Sequence, residues 1–142
     1  MSVCFEGERR ELRSLYGKMK RMQETAWQPP FALLKLIQKV YPSLTFYFSA
    51  EGDDWDAYLT NDAEGKYYSN RYIVDCEPDI EYFDTIEEAC NHLSAYIGKP
   101  VAASWETLNE AANEWNEEHP DSDWPINVKQ IEVISNDELW EW

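Results

Sequence analysis

Hydrophobic side chains recur at intervals of three and four residues in four segments of this chain, and this spacing limits how the chain can fold. The clearest segment lies between Asp84, which can cap a helix at its start, and Gly98, which can end one. Its apolar residues are Ile86, Ala89, Cys90, Leu93 and Ile97. This spacing puts them on one helix face, so we predict a helix with Glu87 completing a capping box.

Three further segments share this helical spacing. The first covers 8–23, the second lies between Pro30 and Pro42, and the third runs from Ser104 to Pro120. Proline is tolerated at the start of a helix and stops one at its end, which agrees with these limits. The sequence therefore predicts four amphipathic helices.

Other segments are rich in aromatic and β-branched residues or alternate between apolar and polar residues, which indicates strands. They are 3–5, 44–49, 55–60, 66–76, 80–83 and 126–134. The turn at 61–65 joins its neighbours into an antiparallel meander. In 126–134 the apolar residues change phase, and a bulge near Lys129 would reconcile the two halves.

This order of elements predicts the α+β class: a mostly antiparallel sheet with helices packed on one face, in a single domain over residues 1–142. It also contains the β-α-β-β-α-β order of a ferredoxin-like (split βαβ) core if the second and fourth helices are additions. We find no internal repeat and no linker that would divide the chain.

Several short motifs follow one another along the chain. They are the strand Val3-Cys4-Phe5-Glu6-Gly7 before a helix, Tyr41-Pro42 before a strand, Glu51-Gly52 after it, and Gly65-Lys66 in a hairpin. In this order they resemble the YubB-like ferredoxin-like proteins of plasmids, phages and other bacterial mobile elements. The resemblance implies a ferredoxin-like fold and a mobile-element origin, and it carries no catalytic motif. Members usually begin with a few more residues, so it also implies a shortened N-terminus here.

Charge is divided unevenly along the sequence, whose formal net charge is −16. Residues 1–39 hold eight basic and four acidic side chains, a charge of +4, and residues 40–142 hold four basic and 24 acidic ones, a charge of −20. The basic segment is either a solvated helix face that offsets part of the acidic field or one half of a split surface for a partner. The acidic excess argues against direct binding to nucleic acid.

The composition favours a folded protein of the cytoplasm. Seven Trp, nine Tyr and five Phe supply a core despite the high charge. The sequence contains no apolar stretch long enough to cross a bilayer and no secretory signal pattern, so we expect no membrane association. Three widely spaced cysteines predict reduced thiols rather than a disulfide framework.

We expect no catalytic residue, no cofactor and no metal ion. Cys90 and His92 are two residues apart, so on a helix they point in nearly opposite directions, and we interpret them as a core thiol and a surface imidazole. His119 precedes a proline at a helix end and is expected to cap it. The segment from Asp121 to Glu132 resembles a calcium loop but has Ile126 where glycine is required, so we reject it.

Tryptophan in acidic surroundings is the remaining signal. Trp105 and Trp115 lie on a helical stripe and are predicted to be core residues. The other tryptophans either pack over the sheet or face a partner. The candidate partner surface consists of Asp53, Asp54, Trp55, Asp56, Trp124, Trp140 and Trp142.

Three functional hypotheses follow. The first is a non-enzymatic protein-interaction domain whose partner is an unknown protein, with a basic protein as one alternative. The second is an acidic DNA mimic that inhibits a DNA-binding protein, which a continuous acidic ridge would favour. The third is an unrecognised enzyme or small-ligand binder, which a deep pocket with converging polar groups would favour.

Overall fold

The computed structural model of the protein describes residues 2–19, 31–52, 57–76 and 78–139. In chain order these residues form β1 (Ser2–Glu6), α1 (Arg9–Met19), α2 (Phe31–Val40), β2 (Thr45–Gly52), β3 (Ala57–Thr60), β4 (Tyr72–Cys76), β5 (Asp79–Phe83), α3 (Ile86–Ile97), α4 (Trp105–Glu118), β6 (Asn127–Gln130), β7 (Glu132–Val133) and α5 (Asn136–Leu139). The α+β class is confirmed. Positions 20–23 of the first predicted helix and 55–56 of the predicted strand lie outside the described residues.

The elements group into two compact units. The first unit contains the described residues up to Tyr68 and again from Glu132, and the second contains Ser69–Ile131. Each has its own sheet, with strand order β1-β2-β3-β7 in the first and β5-β4-β6 in the second. The single sheet predicted from the sequence is thus two mostly antiparallel sheets. The expectation of one domain over residues 1–142 stays a prediction.

In the first unit, apolar side chains of β1 and β2 alternate onto the sheet face that α1 and α2 cover. Phe5 pairs with Phe46 across the two strands, and Phe48 is fully buried on the same face. These rings share one core with Leu15 of α1 and Leu34 of α2. The alternation of 44–49 therefore has the cause that the sequence predicts, a strand buried on one face.

In the second unit, α3 and α4 share a core with one face of the three-stranded sheet. Val74 of β4 and Ile126 beside β6 are buried in the same cluster as Leu93 of α3 and Leu108 of α4. Strand β4 is central and antiparallel to both neighbours, so β5 is an edge strand, as predicted for 80–83. No helix among the described residues of either unit has the length and apolar character needed to cross a bilayer.

Polar side chains end the hydrogen bonding between β2 and β3. Asn61 Oδ1 accepts the Phe48 N–H at 2.8 Å, and Asn61 Nδ2 donates to the Phe46 carbonyl at 2.9 Å. Thr60 Oγ1 donates to the Phe48 carbonyl at 2.7 Å. The Asn61 side chain thus takes the place of a strand backbone beside β2.

Asp62 then turns the chain away from the sheet. Its side chain is buried, and its carboxylate accepts the backbone N–H groups of Lys66 at 3.1 Å, Tyr67 at 2.8 Å and Tyr68 at 2.9 Å. Because these three N–H groups bond to a carboxylate, they do not join a strand ladder.

The predicted strand over 66–76 and the meander that contained it were therefore wrong. Only Tyr72–Cys76 forms a strand, and that strand lies in the second unit. The residues before it are held by Asp62, whose side chain is one of 28 acids in the sequence. Nothing in the local pattern distinguishes it from the exposed ones.

The predicted single strand over 126–134 with a bulge near Lys129 was also wrong. Residues Asn127–Gln130 pair with β4 in the second unit, and Glu132–Val133 pair with β3 in the first. The Ile131 N–H donates to Arg71 O, and the Ile134 N–H donates to Thr60 O, both at 2.9 Å. The phase shift in the sequence marks the point where the chain leaves one sheet for another.

Two helix starts differ from the sequence analysis. Thr85, not Asp84, caps α3: its backbone is extended and its hydroxyl accepts the Glu88 N–H at 3.3 Å. The short helix α5 was missed, although Ser135 and Glu138 form the capping box that signals it.

The Asp62 contacts yield a stability prediction. Asp62→Asn keeps the size of the side chain but replaces one acceptor oxygen with an amide group, which leaves at least one of the three part-buried N–H groups without its acceptor. We expect the free energy of unfolding in urea to fall by about 1–3 kcal/mol. Exposed Glu64→Gln, two residues away, is the matched control and should change it by less than about 0.5 kcal/mol. Equal losses in the two variants would contradict the role of Asp62.

Candidate functional site

The ends of α3 and α4 are fixed by caps. The Ser104 hydroxyl accepts the Thr107 N–H at 3.2 Å at the start of α4. At the end of α3, Gly98 has φ 73° and ψ 21°, and its N–H donates to Ser94 O at 2.9 Å. Ser94 Oγ donates to the Lys99 carbonyl at 2.7 Å. The backbone at Lys99 is therefore held against the last turn of α3.

Five exposed glutamates occupy one side of α4, a helix without lysine or arginine. We call them the acidic row: Glu106, Glu110, Glu114, Glu117 and Glu118. At roughly 100° per residue they fall within an arc of about 120°. Leu108 and Ala112, which bury α4 in the core, lie on the opposite side.

The acidic row weakens the helix that carries it. Glu106, Glu110, Glu114 and Glu118 are successive neighbours four residues apart, and each such pair of like charges costs about 0.2–0.5 kcal/mol. Glu117 and Glu118 also lie in the last turn, where the negative end of the helix dipole disfavours carboxylates. That turn has no basic residue. The stability of α4 therefore does not explain why these residues are acidic.

A small cavity of about 140 Å³ opens beside the last turns of α4, and we call it the aromatic cavity. Its apolar lining comes from Ile97, Ala111 and Trp115. Its charged and polar lining comes from Lys99, Glu114, Glu118 and His119. The acidic row and the aromatic cavity thus share two carboxylates.

Aromatic contacts hold the wall of this cavity. The His119 ring stacks on the Trp115 ring with centroids 4.1 Å apart and planes 16° apart, and His119 Nδ1 lies 2.8 Å from the Trp115 carbonyl oxygen. The Tyr96 ring is about half exposed, and its centroid lies 6.0 Å from that of the Trp115 ring. Lys99 Nζ lies 3.4 and 3.5 Å from the two carboxylate oxygens of Glu118.

The Asn116 side chain helps to attach the segment after α4 to that helix. Asn116 Nδ2 donates to the Ile126 carbonyl at 2.9 Å, and the Ile126 N–H donates to Asn116 Oδ1 at 2.8 Å. Trp124 lies between these two residues in the sequence and is 57% exposed. Its backbone N–H donates to Ser122 Oγ at 3.3 Å. The loop between α4 and β6 thus presents a tryptophan to solvent.

The structure describes one member of the predicted partner surface, the exposed Trp124. The other members, Asp53, Asp54, Trp55, Asp56, Trp140 and Trp142, lie outside the described residues. Trp105 and Trp115, which were predicted to be core residues, are half-buried and pack against the buried cluster of the second unit rather than lying within it. The acidic row was not singled out in the sequence, although its i, i+4 spacing is visible there.

The two histidines occupy helix surfaces. Cys90 is buried in the core as predicted, whereas His92 is half-buried against Phe83, with ring centroids 5.1 Å apart, rather than fully at the surface. His119 is the C-cap of α4, which confirms its predicted position. Among the described residues, no group of three His, Cys, Asp or Glu side chains is arranged to hold a metal ion.

A cluster of ionisable groups in the first unit has pKa shifts away from the nucleophilic forms of its lysine and tyrosine. Glu6 accepts hydrogen bonds from the Lys66 ammonium and the Tyr67 hydroxyl, and these two contacts, Lys66 first, lower its pKa. Glu6 in turn raises the pKa of Lys66 and of Tyr67. A lysine or tyrosine acting as base or nucleophile needs a lowered pKa. The contacts of Glu6 with Lys66 and Tyr67 thus join β1 to the loop held by Asp62.

The buried thiols are likewise held in their unreactive form. Burial raises the pKa of Cys76 to about 11. Burial also raises the pKa of Cys90, whose thiol lies 3.7 Å from the Ser104 carbonyl oxygen. Cys4 is half-buried and not part of either core cluster. Thiolate, not thiol, is the nucleophile, so these shifts suppress reaction at Cys76 and Cys90.

Comparison with protein-family models, curated proteins and solved structures gives no match to this chain.

Thiol labelling tests the burial of the Cys76 and Cys90 side chains. At about pH 8 a thiol of pKa 11 is roughly 0.1% thiolate, against about 10% for an unperturbed pKa near 9. We expect one of the three cysteines to react rapidly with a disulfide reagent in the folded protein, and Cys4→Ser to remove that phase. All three should react in denaturant. Loss of the rapid phase in Cys76→Ser instead would show that Cys76 is accessible.

Proposed function

We propose that this chain is a non-enzymatic protein-interaction domain and that the acidic row of α4 binds a basic protein. The observation that carries the proposal is the placement of five like charges within one arc of α4, with repulsive pairs four residues apart and two carboxylates in the last turn. Residues that lower stability and make no compensating stabilising contact are common at binding surfaces. Two glutamates of the row line the same cavity as Trp115, which contacts the exposed ring of Tyr96, and these aromatic side chains supply apolar contact area.

The charge of the second unit supports the same partner. Residues 69–131 hold 14 acidic and three basic side chains, a net charge of −11. Such a field attracts a cationic protein and raises its rate of association. Because the glutamates of the row are exposed, salt should screen this attraction over about 8–10 Å.

The remaining parts of the proposal have separate support. The raised pKa values of Cys76 and Lys66 support a non-enzymatic role, because both groups are shifted away from their nucleophilic forms. Free thiols support a reducing cytoplasm. The ferredoxin-like arrangement and the mobile-element origin are supported by the sequence resemblance alone.

DNA mimicry is a second candidate because of the charge density of the row. From Glu106 to Glu118 the helix rises about 18 Å and carries five carboxylates, roughly one per 4 Å. One strand of duplex DNA carries a phosphate about every 3.4 Å along its axis. A basic protein that binds DNA could therefore meet a similar density of charge on α4.

Neutralising the row should weaken binding to a basic probe. For the triple variant Glu106→Gln, Glu110→Gln and Glu117→Gln we expect about tenfold weaker binding of a fluorescent oligolysine peptide at low salt. This variant leaves the two glutamates of the aromatic cavity unchanged. Fluorescence anisotropy at several salt concentrations measures both the affinity and its salt dependence.

The matched control removes the same charge from other exposed positions: Glu64→Gln, Asp79→Asn and Glu81→Gln. Its affinity should change by less than about twofold, since the control leaves the row intact. Equal weakening of both variants would show that the probe responds to net charge alone and would refute the row as a site. Displacement of a short labelled duplex from a DNA-binding protein by the wild type, and not by the row variant, would favour mimicry.

A further inference from the structure

The aromatic cavity has the size of one side chain. Pockets for drug-sized ligands measure about 300–1,000 Å³, whereas a cavity near 150 Å³ holds a group the size of benzene. The volume here is about 140 Å³. A single side chain of a bound protein fits this space, and a larger metabolite does not.

The lining selects a cation with apolar faces. Ile97, Ala111 and Trp115 provide apolar surface, while Glu114 and Glu118 provide two carboxylates on neighbouring turns of α4. Lys99 is the one lysine among the residues that line the cavity with these two acids, so the charge balance of the lining is negative. A cationic side chain with a long stem meets both requirements.

Arginine suits this lining better than lysine. Its planar guanidinium stacks on aromatic rings and can donate two parallel hydrogen bonds to one carboxylate, whereas the lysine ammonium is a strongly hydrated point charge. The stacked rings of Trp115 and His119 and the carboxylates of Glu114 and Glu118 present both kinds of partner in one cavity.

Lys99 now holds the place of this cation. Its ammonium bridges both oxygens of Glu118, and the two side chains are 59% and 55% exposed. Exposed pairs of this kind are weak, so a better cation can replace Lys99. The Ser94 contact holds the backbone of Lys99 and leaves its side chain to move.

We propose that the aromatic cavity binds an arginine side chain of the basic partner, which displaces Lys99 from Glu118. This inference rests on the proposed function, because it names the residue through which a partner of the acidic row is anchored. If it is correct, removing the positive charge of Lys99 tightens the binding of arginine. The gain is larger than the gain from removing a positive charge elsewhere on the protein.

The test titrates the full chain with N-acetyl-arginine methylamide and follows the indole N–H of Trp115 by NMR. We expect saturable shifts at Trp115, binding about threefold tighter in Lys99→Met and at least threefold weaker in Glu118→Gln. The control Lys39→Met removes a positive charge from exposed α2 and should leave the affinity within the error of the wild type. The corresponding lysine probe should bind several-fold more weakly.

Each other outcome overturns a stated part. Unchanged or weaker binding in Lys99→Met refutes displacement, and equal binding of the arginine and lysine probes refutes arginine selection. Ala111→Leu should fill the cavity and abolish the Trp115 shifts, with its melting temperature as a check of folding. If it leaves the shifts intact, the probe binds elsewhere.

Failure of this inference can be told from failure of the proposed function. If oligolysine binding depends on the row but the arginine probe does not shift Trp115, the row stands and the cavity is refuted. If the arginine probe binds as described but the row and control variants weaken oligolysine equally, the cavity stands and the row is refuted.

Discussion

Side-chain hydrogen bonds at Thr60, Asn61 and Asp62 determine how the first unit's sheet ends. Asn61 and Thr60 satisfy backbone groups of β2 that a longer β3 would otherwise pair with. The Asp62 carboxylate then holds three consecutive N–H groups of the following loop. The chain can thus leave the sheet, form a second sheet and core over residues 69–131, and return to pair β7 with β3.

Elements that depend on local pattern could be predicted, and those that depend on distant pairing could not. The helices around Leu93 and Leu108 follow from a period of about 3.6 residues, which the sequence displays directly. The division into two sheets depends on Asp62 and its contacts with Lys66, Tyr67 and Tyr68. No hydrophobic periodicity in the sequence indicates these contacts. The phase shift in 126–134 was visible, but its cause was a change of sheet rather than a bulge.

The candidate site shows the same distinction. The helix-end position of His119 followed from local context, whereas the sequence left open whether Trp124 packs over the sheet or faces solvent. The aromatic cavity could not be predicted, because it requires Lys99, after α3, to meet Glu118 at the end of α4. The acidic row was present in the sequence as an i, i+4 pattern. It was hidden by the abundance of acids, and its significance came from the absence of basic residues on the same helix.

The central claim is that a basic ligand chooses one helix face of an acidic protein. The most direct test is to map backbone amide chemical shifts by NMR while oligolysine is added at low salt. This one measurement compares α4 with the other helices and strands. We expect the largest shifts to cluster along α4, Trp105–Glu118, and at Lys99, and to shrink together as salt is added. Shifts of equal size on the acids of β5, or on those of the first unit, would contradict it.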